Sequence, residues 1–173
     1  IGDWALAQQL PLPRLSTVAK GESIGVVGSG PAGLSFAYQM SRRGYPVVIY
    51  EQYSRLGGML RYGIPRYRLP TEILEAEIER ILDLGVEART DTKVGVDLAL
   101  EEIKSQHAIL FAGMGAHKGL SLGVPGETGP GVWSGTSFLR QVSQSERVDL
   151  GRHVAVIGGG NTAVDAARTA RRA

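Results

Sequence analysis

At 173 residues, the chain has the length of one ordinary domain with a sizeable core. Its 43% hydrophobic and 21% charged residues are normal for a globular protein, and a net charge of +2 without a long basic run or basic–aromatic alternation argues against a nucleic-acid partner. The absence of cysteine excludes a disulfide, a thiolate nucleophile, a redox-active Cys pair and a Cys-ligated iron–sulfur cluster within this chain. The 24 glycines are about twice the usual share. They fall in short runs, which points to turns and close approach to ligands rather than to disorder. No apolar run is long enough to span a bilayer. The N-terminal Ile1-Gly2-Asp3-Trp4 lacks a basic region and reads as an internal cut rather than a signal peptide, so a cytoplasmic location is the expectation.

In chain order, Asp3 to Leu10 predicts a short helix closed by Pro11 and Pro13, and Leu12 to Glu22 a polar linker. Ile24–Val27 is an apolar run suited to a buried parallel strand. A helix is expected from Pro31 to Arg43, with Pro in the first turn and Gly44 at its exit, and Val47–Tyr50 is the next strand. Gln52 to Pro70 has no periodicity and is expected to be a functional loop. Thr71 is the expected N-cap of a helix that carries Leu74, Ile78, Ile81 and Leu82 on one face and ends at Gly85. Val86–Ala88 and Thr92–Val94 are strand candidates, Asp97 to Gln106 a helix, and Ala108–Met114 a buried strand. After a Gly/Pro-rich crossover over Gly119–Gly135, Thr136–Gln144 predicts a helix. A second strand–turn–helix runs through His153–Ile157 and Asn161–Arg171.

Two glycine-rich turns carry the chemistry. In Gly28-Ser29-Gly30-Pro31-Ala32-Gly33, Gly28 permits the bend and Gly30 lets backbone approach a pyrophosphate. Gly33 allows close helix–strand packing, and the helix N-terminus offers N–H groups and a positive dipole. Glu51, 23 residues after Gly28 and at the end of the next strand, stands where a carboxylate would bind the ribose hydroxyls of a dinucleotide. The second turn, Gly158-Gly159-Gly160-Asn161-Thr162-Ala163, repeats the pattern with Ala in the third position. By themselves these turns fit either FAD or NAD in the first site.

The run Gly28-Ser29-Gly30-Pro31-Ala32-Gly33-Leu34 resembles the FAD turn of the two-dinucleotide flavoprotein oxidoreductases. The stretch Leu56-Gly57-Gly58-Met59-Leu60-Arg61-Tyr62-Gly63-Ile64-Pro65-Arg66-Tyr67-Arg68-Leu69-Pro70 is more specific. It resembles the glutamate synthase small (β) subunit and its relatives, including the flavin half of dihydropyrimidine dehydrogenase. Gly158 to Asp165 resembles their NADPH turn, and the likeness runs from about Ile24 to the end.

The resemblance implies cofactor-binding roles position by position. Gly28, Gly30, Pro31, Ala32 and Gly33 would form the FAD turn, and Glu51 would bind the adenosine ribose. Gly57, Gly58 and Met59 would lie along the flavin, with Arg68 in contact with the cofactor. Val94 would meet the adenine through its backbone, and Gly113 to Gly115 would let the chain pass close to FAD. Gly158, Gly159, Gly160, Asn161 and Thr162 would meet NADPH or NADH. Hydride transfer between nicotinamide and flavin needs orientation more than side-chain acid–base help, so no catalytic residue and no metal ligand is expected. His107 and His117 are expected to be structural or solvent-facing. Asp165 either orients the second turn or lies on the helix surface.

The expected fold is α/β, a Rossmann-type FAD-binding domain with a parallel sheet followed by the first β–α of a second nucleotide-binding domain. The corresponding boundaries are residues 1–23 for a helix and linker, 24–151 for an FAD domain without its C-terminal return segment, and 152–173 for the start of an NAD(P)H domain. The implied function is electron passage from NAD(P)H to FAD and on to an iron–sulfur domain outside this chain or a large catalytic subunit. The alternative is a non-catalytic module that holds a dinucleotide without turnover.

Overall fold

Four short segments of the first 115 residues become the four strands of one sheet. In the computed structural model, which describes residues 2–144 and 148–173, these are β1 (Ile24–Val27), β2 (Val47–Tyr50), β3 (Val86–Arg89) and β4 (Ile109–Ala112). All pair in parallel, in the order β3-β2-β1-β4. Register places Ile24 opposite Val47 and Ile109, and Val27 opposite Tyr50 and Ala112. Residues buried on both faces explain the unbroken apolar runs of β1 and β2. Ile24, Val26 and Ile49 are completely enclosed, each worth about 1.5–3 kcal/mol of apolar burial.

The helices that cover this sheet follow their sequence signals closely. Helix α1 (Gly2–Ala7) precedes the sheet, and α2 (Pro31–Ser41) starts with proline in its first turn and leaves through Arg42 to Gly44. Leu34 and Ala37 of α2 are buried. The one-turn helix α3 (Met59–Tyr62) lies inside the stretch expected to be irregular. Helix α4 (Thr71–Leu82) buries Leu74 and Ile78 as its periodicity predicts. Its cap differs from expectation: Pro70 holds the N-cap position, Thr71 is the first helical residue, and no side chain caps the turn. The fixed φ of proline sets the entry angle in place of a hydroxyl. The polar segment before β1 is tied down, with Leu15 and Ser16 N–H groups on the Arg42 carbonyl and the Arg14 guanidinium on the Leu84 carbonyl.

Two expectations for residues 92–106 are corrected. Thr92–Val94 is not a strand, because the Asp97 carboxylate accepts from the Lys93 N–H and closes a tight turn. Val94 makes an isolated bridge to Leu98. Helix α5 consequently begins at Leu100 (Leu100–Gln106), not at Asp97. Its Ile103 is fully buried.

By its contacts the chain divides into two units, Ile1–Leu60 with Pro70–Gly115, and Arg61–Leu69 with Ala116–Ala173. In the second unit, α6 (Gly135–Ser143) and α7 (Asn161–Ala170) pack through Phe138, Leu139 and Ala166, with Val142, Val148, Leu150 and Ala170 around them. Ser134 caps α6 by accepting the Ser137 N–H at 3.2 Å. The strand expected at His153–Ile157 does not form. Its Val154, Val156 and Ile157 side chains are 48, 40 and 79% exposed. No strand lies beside it among the described residues, and a lone strand leaves its peptide groups unpaired. The second β–α of the expected fold is therefore represented by its turn and helix.

Candidate functional site

The first turn is fixed by three close backbone approaches. Gly28 ends β1 with φ of +94°, and its N–H donates to the Tyr50 carbonyl at 2.8 Å. A Cβ on Gly28 would stand 2.7 Å from the Gly113 carbonyl oxygen, while the Gly113 N–H donates back to Val27 at 2.8 Å. A side chain is thus excluded at Gly28, and one at Gly113 would press on the Phe111 ring at 3.0 Å. At Gly33 a Cβ would lie 1.9 Å from the Gly28 carbonyl oxygen, so the start of α2 rests on the turn itself. Gly30 is the N-cap of α2, and nothing lies within 4 Å of where its Cβ would be. Gly30 immediately precedes the first N–H groups of α2, which have no intrahelical acceptor and no side-chain cap.

Glu51 closes the site from β2. It is only 3% exposed, and its backbone bonds to Arg89 and Thr92. Its carboxylate accepts the Ser29 N–H at 2.9 Å, the Ser29 hydroxyl, and the Tyr53 N–H at 3.0 Å. Ser29 is completely buried, and its hydroxyl oxygen also receives the Gly57 N–H at 3.1 Å. Gly58 packs on Gly30 so closely that a Cβ would meet the Gly30 Cα at 2.6 Å. Met59, half-buried, opens α3 just beyond. The structure therefore brings Gly28, Gly30, Gly33, Glu51, Gly57, Gly58 and Gly113 into one cluster within the first unit. Pro31 and Ala32 form the first turn of α2, and Gly115, with φ of +68°, follows Gly113 along the chain. Val94 stands two residues beyond Thr92, the partner of the Glu51 carbonyl.

The remaining candidates belong to the second unit. Gly158 has φ of +127°, Gly160 is the N-cap of α7, and no atoms lie within 4 Å of the Cβ positions of Gly159 or Gly160. Asn161 and Thr162 are exposed at the helix start. Arg68 has a partner within the protein: it pairs with Asp165 at 2.6 Å, and the Tyr67 hydroxyl reaches the same carboxylate at 3.4 Å. Asp165 is only 5% exposed, so it is not a helix-surface group. Arg168 and Arg172 stack on the Tyr67 ring at 4.4 and 4.6 Å.

Sequence reasoning passed over Ser29, whose signal is a hydroxyl between two glycines at a position where only a small side chain fits. It also left Asp165 undecided, because burial of a helix carboxylate depends on which segment returns to cover it. His107 is structural, as expected. Its ring bridges the Ser23 hydroxyl at Nδ1 and the Tyr50 hydroxyl at Nε2, 2.8 Å away. Burial, and then the Arg89 charge, pushes its pKa below the ordinary histidine value, while burial raises that of Tyr50 against the pull of Arg89. Away from both turns, Glu127 accepts the Ser121 hydroxyl and the N–H groups of Leu122 and Gly123, which lower its pKa.

A strand–glycine turn–helix closed by a carboxylate from the next parallel strand is the geometry of a nucleotide-binding half, and comparison with known proteins places it. Residues 22–173 match the pyridine nucleotide-disulphide oxidoreductase family model. The chain belongs to that family. The chain is 42% identical to the NADP(+)-dependent formate dehydrogenase subunit beta of Moorella thermoacetica, over 99% of its own length and 25% of that subunit. It is 34% identical to the glutamate synthase [NADPH] small chain of Azospirillum brasilense, over 99% of its length and 38% of that chain. It thus spans about a quarter to two-fifths of these relatives. Among solved structures, the Mycobacterium tuberculosis oxidoreductase FprA shares the fold, with a TM-score of 0.75 at 23% identity over 86% of this chain and 36% of that one. The α/β fold with a four-stranded parallel sheet is accordingly the Rossmann-like fold of this family. Among the described residues no helix is long and apolar enough to cross a membrane.

Proposed function

We propose that this chain is the dinucleotide-holding part of an NAD(P)H-dependent flavoprotein oxidoreductase, with FAD on the Gly28–Gly33 turn and NAD(P)H on the Gly158–Ala163 turn. The observation that carries the first assignment is the open flank at Gly30 beside the donor end of α2, with Glu51 fixed at the tip of the neighbouring strand. A pyrophosphate suits that flank because it is anionic and meets backbone donors that no side chain obstructs. Gly57 and Gly58, which open the stretch resembling the glutamate synthase small subunit, fold onto Ser29 and Gly30 of the same turn. In this reading Glu51 receives a ribose hydroxyl, and Val94 and Gly113 to Gly115 line the adenosine side. Gly159, Gly160, Asn161 and Thr162 meet the nicotinamide nucleotide.

Such a site works by binding and orientation. The chain's groups neutralise phosphate with N–H donors and the α2 dipole, fix the ribose, and leave the reacting ring faces to meet. When bound, flavin chemistry supplies two-electron acceptance and one-electron release, which suits delivery to an iron–sulfur centre or a partner subunit. The relatives named above are themselves beta or small subunits, in keeping with a partner that completes the electron path.

The test is the visible spectrum of the purified chain after addition of FAD and removal of unbound cofactor. A retained flavin with a spectrum shifted from free FAD is expected, and NADPH should bleach it. Binding of NADH without FAD would overturn the flavin assignment. Retained flavin that NADPH never bleaches would favour a module that only holds its cofactor.

A further inference from the structure

The hydroxyl of Ser29 lies between the two halves of the first site. It donates to Glu51 Oε2, which also takes the Ser29 N–H at 2.9 Å. It accepts the Gly57 N–H at 3.1 Å, and the Ser29 carbonyl accepts the same N–H at 3.1 Å. A carboxylate offers about four acceptor positions, two on each oxygen. Ser29 fills both on Oε2, and the Tyr53 N–H fills one on Oε1 at 3.0 Å. Among the described residues nothing takes the fourth, on Oε1, and that is the position a ligand would use. Because Ser29 is fully enclosed and Glu51 only 3% exposed, water has little room to replace the missing donor if the hydroxyl is removed.

From this we infer that Ser29 is a positioning residue for the dinucleotide: through Glu51 it determines which carboxylate oxygen meets the adenosine ribose, and through Gly57 it holds the Gly57–Gly58 loop against the turn. The inference rests on the FAD assignment made above. It adds a specific consequence, that Glu51 receives a single ribose hydroxyl rather than the pair. One of the 2′- and 3′-hydroxyls then matters for binding much more than the other.

The experiment compares the full chain with its Ser29→Ala variant, titrated with FAD and with the FAD analogues lacking the adenosine 2′- or 3′-hydroxyl, and followed by flavin fluorescence. The wild-type chain should bind FAD about tenfold more tightly than one analogue and nearly equally with the other, the step expected for one hydrogen bond to a charged acceptor. Ser29→Ala should weaken FAD binding about tenfold and abolish the difference between the analogues. A merely structural loss would weaken all three ligands alike and leave their ratios intact, which would overturn the inference. Equal wild-type affinity for all three, or no flavin binding, would remove the ribose role of Glu51 and the inference with it. Wild-type weakening by both analogues alike would refute the single-hydroxyl contact while leaving the FAD assignment standing. Ser29→Cys, similar in size and a weak donor, is the second variant should the alanine chain not fold, and its analogue ratio should fall between one and the wild-type value.

Discussion

The two glycine-rich turns begin alike. In the first, Gly28 takes φ of +94°, Gly30 caps α2 with ψ of −178°, and the Leu34 N–H returns to the Gly30 carbonyl at 2.9 Å. In the second, Gly158 takes φ of +127°, Gly160 caps α7 with ψ of 172°, and the Val164 N–H returns to Gly160 at 3.1 Å. Their surroundings differ. The first is wedged between Gly113, Gly58 and Glu51 at the end of a four-stranded sheet, whereas the segment leading into the second has no strand beside it among the described residues and exposes its valines. Local sequence is therefore enough to bend the backbone, but neighbours in the sheet decide whether the bend is buried and how much energy depends on it.

The largest contrast between the turns should come from Gly33→Ala. Its Cβ would enter the Gly28 carbonyl at 1.9 Å, a backbone collision that no rotamer relieves. We expect a loss above about 4 kcal/mol in chemical denaturation, or failure to fold. Near-native stability would mean that the first turn is as adaptable as the second, and the comparison would collapse. Next in size is Glu51→Ala, which leaves the Ser29 and Tyr53 N–H groups without their acceptor at a buried position. A cost of about 3 kcal/mol and loss of FAD retention on a desalting column are the expected results.

Arg68→Ala probes the second unit and should cost less, about 1–2 kcal/mol. The arginine side chain is 44% exposed, so its own burial contributes little, but Asp165 would be left enclosed with, among the described residues, only the longer Tyr67 contact. The decisive condition is the cofactor-free chain. If Arg68 acted only on bound cofactor, its thermal midpoint without cofactor would not move.

A smaller effect should appear with acid, and it belongs to the first unit. The folded pKa of His107 lies below its unfolded value, so the unfolded chain binds the extra proton first. Stability contributed by the neutral ring is intact above the unfolded value, near 6.5. It is lost as pH falls from there toward the lower folded pKa. His107→Gln should flatten that part of the stability–pH curve, and an unchanged slope would show that the ring does not titrate there.

How much of this could be read in advance follows from the same contrast. The bounds of β1 and β2 and the buried face of α4 were legible because apolar runs and helical spacing are local signals. The cluster of Gly28, Glu51 and Gly57 was legible as a pattern of turn, carboxylate and loop. The absent strand at His153–Ile157 was not, since the residues are strand-like and among the described residues no strand lies beside them. The ion pair of Arg68 with Asp165 joins residues 97 positions apart, and nothing within either segment marks the other as its partner. The role of Ser29 was hidden for a different reason: its hydrogen bonds depend on where Gly57 and Glu51 meet in space.

The smallest predicted effect tests the comparison at its centre. Ala163 holds the position equivalent to Gly33, so this turn carries a side chain at its third position, and a Cβ added at Gly158 would meet that methyl tightly, at 3.3 Å. Ala163→Gly removes a methyl group near the start of α7 and adds backbone freedom to the unfolded chain. The expected cost is about 0.5–1 kcal/mol from helix propensity alone. The reciprocal exchanges, Ala into the first turn and Gly into the second, should thus differ by several-fold in a single denaturation experiment. If Ala163→Gly instead costs as much as Gly33→Ala, the methyl of Ala163 supports packing well beyond its own helix. The second turn would then be as tightly held as the first.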